Sequence, residues 1–83
     1  MNIHMVNHAE FVFQSEGITP EEFLPYLVAY RTKNGKLGSM VGVFEPDYDQ
    51  GNGGFYDGVM AHLTLEDAYA WLDLSKIQLT EET

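Results

Sequence analysis

Tyr26-Leu-Val-Ala-Tyr-Arg-Thr-Lys-Asn-Gly-Lys-Leu-Gly-Ser-Met-Val-Gly-Val-Phe44 holds two strand-like runs on either side of a turn. Asn-Gly between alternating apolar residues is the strongest short-range signal for a two-residue β-hairpin turn. With Asn34 and Gly35 as that turn, Tyr30 falls opposite Ser39, Val28 opposite Val41 and Tyr26 opposite Val43. One face then carries Tyr26, Val28, Tyr30, Leu37, Val41 and Val43, and the other Leu27, Ala29, Met40, Phe44, Gly38 and Gly42. Glycines inside a strand let a backbone approach closely, so the second face is expected to lie under a helix.

Downstream comes Glu-Pro-Asp-Tyr-Asp-Gln-Gly-Asn-Gly-Gly-Phe-Tyr-Asp-Gly over residues 45–58, with four carboxylates, three aromatic rings and four of the eight glycines. It reads as an exposed acidic loop, and residues 55–62 as a short further hairpin partner. Thr64-Leu-Glu-Asp67 resembles a capping box, with Asp67 where Glu or Gln is usual. Leu65, Ala68, Trp71 and Leu72 follow at helical spacing, which predicts a helix over 64–74 packed on the sheet. Residues 76–80 alternate as a last strand or docked tail, and 81–83 are expected to fray.

Upstream, Thr19 as cap, Pro20 at the first helical position and Glu21-Glu22 in the first turn predict a short helix over 19–24, limited by Pro25. Residues 3–14 alternate with period two, firmest over 9–13, and predict a first strand closed by Gly17. The expected fold is therefore α+β: one domain over 1–83, with a small antiparallel sheet centred on the 26–44 hairpin. The main helix, 64–74, covers one face, and the short helix, 19–24, accompanies it.

Composition narrows the function. The chain has 83 residues, 13 acids against 4 Lys plus Arg, a formal charge of −9 and no cysteine. Disulfides and thiolate zinc sites are excluded. No apolar run approaches the ~20 residues of a membrane span, and the N-terminus lacks a signal-peptide layout, so a cytoplasmic protein is expected. Such acidity repels nucleic acid and anionic lipid and attracts basic surfaces. Arg31, Lys33 and Lys36, three of the four cations, cluster at the hairpin turn.

Chemistry-bearing motifs are sparse. Asp47, Asp49, Gly51 and Asn52 resemble the start of a calcium loop. Asn52 then stands where that loop needs glycine, and Gly58 where it needs a bidentate glutamate. His4 and His8 share a strand face about 13 Å apart, too far for one ion. No nucleophile elbow exists, and the 51–54 glycines lack a following lysine. No enzyme and no cofactor is expected.

Aromatic rings interleaved with acids remain. Tyrosine combines apolar area with a hydroxyl, and spaced carboxylates imitate a phosphate backbone to a basic groove. The expectation is a non-enzymatic acidic protein that docks on the basic, nucleic-acid-binding type of surface of a larger protein and inhibits or regulates it. Glu45, Asp47, Tyr48, Asp49, Tyr56 and Asp57 would form the contact, with Asp67 and Asp73 as extensions. The alternative is that Tyr48, Phe55 and Tyr56 fold back onto the sheet as a satellite core and leave only the acids outside. In its small size and acidity the chain resembles phage-encoded inhibitors of bacterial defence, the anti-CRISPR and anti-restriction proteins, a resemblance that carries no motif. The rival expectations are a self-associating module, pairing as a homodimer through an edge such as 76–80, and a weak divalent-cation-binding domain.

Overall fold

The computed structural model describes residues 2–5 and 10–82. It is all-β, with two 3-10 turns (Gln14–Glu16 and Leu74–Lys76) and no α-helix among the described residues. The strands are β1 (Asn2–Met5), β2 (Val12–Phe13), β3 (Pro25–Arg31), β4 (Leu37–Glu45), β5 (Gly54–Tyr56), β6 (His62–Thr64), β7 (Ala68–Asp73) and β8 (Leu79–Glu82). Six form one antiparallel sheet in the order β2-β7-β3-β4-β5-β6, while β1 and β8 form a two-stranded ribbon.

The α+β expectation is thus overturned at both predicted helices. Residues 64–74 do begin with the capping interaction, Thr64 Oγ1 accepting from the Asp67 N–H at 3.1 Å. That interaction closes only one turn, after which the chain extends as β7. The helical spacing has a specific origin. Ala29 pairs with Ala70 and Tyr30 with Ala68, so Tyr69 is an extra, bulged residue. A bulge puts residues three apart on one face, as a helix would. Ala68 and Trp71 accordingly both enter the core. Residues 19–24 form no helix either. Phe23 takes a left-handed backbone, φ 64°, its N–H bonds to the Phe44 carbonyl, and the Tyr26 hydroxyl accepts from the Glu21 N–H at 2.9 Å.

The 26–44 hairpin is present, but its register differs by one residue. Tyr30 pairs with Gly38, Val28 with Met40 and Tyr26 with Gly42. The Gly35 N–H bonds to the Thr32 carbonyl, Gly35 alone of the turn pair has positive φ (78°), and the Thr32 N–H bonds to the Lys36 carbonyl. This is a type I turn followed by a left-handed glycine, which contains one residue more than the turn expected. A one-residue slip turns every side chain of a strand over. Met40 and Phe44 therefore join Tyr26 and Val28 inside. The Tyr30 ring, not a helix, covers Gly38.

The first-strand expectation is also revised. Asn2–Met5 pairs with β8 and Val12–Phe13 with β7, so the two pieces serve different sheets. Residues 6–9 of that expectation lie outside the described residues. The last strand expected over 76–80 is replaced by a 3-10 turn and β8, which carries Glu81 in a ladder with Ile3.

The six-stranded sheet is strongly curled. β6 and β7 lie four ladder steps apart, about 19 Å in a flat sheet. Yet only residues 65–67 join them, and consecutive i→i+3 bonds (Asp67 to Thr64, Ala68 to Leu65) shorten that link further. The concave face closes on Tyr26, Val28, Phe44, Phe55, Ala68 and Trp71, flanked by Val12, Leu24, Met40, Leu63 and Leu65. Phe55 sits at its centre, its ring 5.5 Å from Phe44, 5.7 Å from Tyr26 and 5.8 Å from Trp71.

Candidate functional site

The end of β4 feeds residues 46–53, a wound loop closed by backbone bonds from Gly51 to Asp47, Asn52 to Asp49 and Gly53 to Tyr48. Left-handed φ angles at Asp49 (54°), Gln50 (57°), Gly51 (91°) and Gly53 (96°) turn the chain back onto β5. The Tyr48 ring then lies directly against Gly54, where any side chain would collide with it. Glycine at 54 is what seats that tyrosine.

Seated there, Tyr48 meets His62. The ladder places Tyr56 beside His62, and the histidine ring is sandwiched between two tyrosines: 4.4 Å and 6° from Tyr48, 4.2 Å and 15° from Tyr56. Its Nε2 lies 3.2 Å from Oε1 of Glu45. Four side chains from three strands and the loop thus converge into one half-exposed ladder. Of the three aromatic residues of the acidic stretch, only one folds into the core. Phe55 is a core residue, while Tyr48 and Tyr56 stack on a surface histidine and stay half-buried.

The β5–β6 connection is held by Asp57. Its Oδ1 accepts from the N–H groups of Val59 (2.8 Å), Met60 (3.1 Å) and Ala61 (3.1 Å). Those bonds, the Val59 one foremost, hold the Asp57 carboxyl below the usual carboxylate range. The Tyr56 hydroxyl donates to the Val59 carbonyl at 3.1 Å. Pinned in this way, Val59 and Met60 stand in water, 78% and 82% exposed.

The expected contact residues therefore divide. Glu45, Tyr48 and Tyr56 meet at His62. Asp47 is exposed in the neighbouring loop, and Asp49 is half-buried there with Oδ2 3.4 Å from the Asn52 amide. Asp57 is adjacent, with one oxygen committed to its own loop. Asp67 does not join them: it lies in the β6–β7 turn, lining an open groove with Arg31, Glu66 and Tyr69. Asp73 ends β7 and caps the second 3-10 turn, accepting from the Ser75 N–H (2.9 Å) and hydroxyl (2.6 Å).

His62 was not among the expected contact residues, and only the β5–β6 register brings it between the tyrosines. Asp57-Gly58 between two apolar runs is a hairpin-turn signal, and the turn it opens leaves Val59 and Met60 exposed. Among the described residues no three His, Asp or Glu side chains group as metal ligands. Of the other histidines, His8 lies outside the described residues, and His4 is described by its backbone alone.

Charge is segregated along β4. Its first residue follows the turn with Lys33 and Lys36, and its last opens the acidic loop. Nine residues of strand put these ends about 30 Å apart. No protein-family model matches the chain, and no curated protein or solved structure matches it either.

Proposed function

We propose that this chain is a non-catalytic binding protein that uses the acidic, aromatic end of its sheet to dock on a cationic surface of a larger protein and block or regulate it. The reading is carried by the convergence of Glu45, Tyr48 and Tyr56 on His62, with Asp47 exposed beside them, in a chain of net charge −9. A preorganised ladder of stacked rings offers contact area at little entropic cost. The surrounding carboxylates steer encounter with a basic partner and are screened beyond about 8 Å at physiological salt. A groove that normally holds nucleic acid, the kind of target phage anti-defence inhibitors occupy, has the charge this end complements.

The test is affinity capture on the immobilised chain, identification of the captured protein, and titration of that protein once purified. Asp47→Lys/Asp49→Lys is the informative variant, because it leaves the structural Asp57 in place. Its association rate should fall more than about tenfold at low salt and converge with the parent at high salt. Tyr48→Ala should accelerate dissociation. Capture and rates that are indifferent to both variants and to salt would overturn the proposal.

A further inference from the structure

The long free edge in this sheet belongs to β4. Its residues 37–43 pair with β3 on one side, but β5 covers the other side only at Val43, Phe44 and Glu45. The direction of the remaining groups follows from parity. In an antiparallel ladder the N–H and C=O of one residue point to the same side and alternate along the strand. The Lys36 and Phe44 carbonyls bond on the β3 side, so the even residues face β3. Leu37, Ser39 and Val41 then present three N–H and three C=O groups outward, and none of these has a partner among the described residues.

Proteins blunt such edges with short strands, bulges, proline or charge. The outer strands obey: β2 has two residues and β6 three. Residues 37–42 read Leu-Gly-Ser-Met-Val-Gly, without proline, charge or bulge. The side chains of Leu37 and Val41 stand on the sheet face opposite Met40 and Phe44, 57% and 56% exposed.

We propose that this edge pairs with the same edge of a second copy, antiparallel and two-fold symmetric about Ser39. Outward residues must face outward residues, and centring on Ser39 satisfies this with Leu37 opposite Val41 of the other copy, twice, and Ser39 opposite Ser39. Two exposed apolar residues cover each other in each half, and the outward backbone groups are matched. Charge fits the same register. Antiparallel pairing brings each basic turn, Lys33 and Lys36, toward the end of the other copy's β5, which runs out into Asp57. The repulsion of two chains of −9 acts mainly over distances that physiological salt screens. This surface borders the acidic end proposed for partner binding only at Asp57 and uses none of Glu45, Tyr48, Tyr56 or His62, so either proposal can fail without the other.

Sedimentation equilibrium or light scattering on the full chain over a concentration series provides the test. The expected particle grows from 9.4 kDa to twice that mass. Val41→Glu, at a position already exposed in one chain, should raise the dissociation constant more than about tenfold with an unchanged circular dichroism spectrum. Leu37→Lys/Val41→Glu should regain the dimer, because it places Lys opposite Glu in both halves. Ser39→Cys should cross-link to itself on mild oxidation, since opposed strand residues sit about 5.5 Å apart at Cα and the parent has no cysteine. A chain that stays at one-chain mass overturns the proposal and leaves the edge to a strand of another protein. A dimer indifferent to Val41→Glu, or a Ser39→Cys variant that cross-links no faster than Ser75→Cys, overturns it equally.

Discussion

Phe55→Ala tests whether the sheet closes on itself. In a flat sheet β5 and β7 would lie three ladder steps apart, about 14 Å, and Phe55 would touch only its ladder neighbours. In the curled sheet it is 0% exposed and its ring reaches Trp71 at 5.8 Å as well as Tyr26 and Phe44. Truncating a fully buried phenylalanine costs about 3–5 kcal/mol. A domain of this size has a total stability of about 4–12 kcal/mol, so the variant should be half unfolded or close to it under mild denaturant. Phe55→Leu, which keeps most of the volume, should cost about 1–1.5 kcal/mol. Trp71 is the only tryptophan, so urea unfolding followed by its fluorescence reads the same contact that the substitution removes. A loss below about 1.5 kcal/mol for the alanine variant would mean that Phe55 lies on an open face, and the closed core would be wrong.

Other perturbations probe the site and the bulges. Gly54→Ala puts a methyl group into the Tyr48 ring and 2.8 Å from the Leu63 carbonyl; it should cost about 1–3 kcal/mol and move the His62 ring-proton resonances as Tyr48 leaves the stack. Asp57 has its carboxyl depressed by the Val59, Ala61 and Met60 N–H groups, so the loop stabilisation is fully present above the ordinary value of 3.8 and is lost as pH falls through the lower folded value. The protection factors of the Val59, Met60 and Ala61 amides, corrected for intrinsic exchange, should therefore fall only below pH 3.8, and Asp57→Ala should show low protection at every pH; protection lost well above 3.8 in the parent would refute the assignment. Arg31 donates to the Gly35 carbonyl at 3.2 Å and stands 4.8 Å over the Tyr69 ring; Arg31→Ala should lower stability by about 1 kcal/mol in thermal unfolding, and no change would show that the contact is idle.

The hairpin at 26–44 was legible because Asn-Gly between alternating residues has few other uses. Its register was not, since the same dipeptide serves turns that differ by one residue, and only the φ signs at Asn34 and Gly35 decide between them. The 64–74 segment misled for a related reason. Thr64 caps a turn in either fold, and the bulge at Tyr69 supplies the three-residue apolar spacing that a helix would produce. The acidic end was legible as composition. Its geometry was not, because Tyr48 finds His62 only through the seat at Gly54 and the pairing of β5 with β6, two contacts distant in sequence from the residues they order.

Both extra residues occur at the same place. Gly35 lies in the turn beyond Arg31, and Tyr69 bulges opposite the Ala29–Tyr30 step, so the C-terminal end of β3 is flanked by an irregularity on each side. Bulges increase the local right-handed twist of a strand pair. Two of them on opposite flanks of one strand end concentrate twist there, at the end of β3 next to the bulged start of β7. Arg31 touches both, bonding to the carbonyl of one extra residue and stacking on the ring of the other. The bulge that imitates a helical period is thus the feature that puts both Ala68 and Trp71 into the core, and the order of the sheet leaves residues 37–42 of β4 as an open edge between a basic turn and an acidic loop.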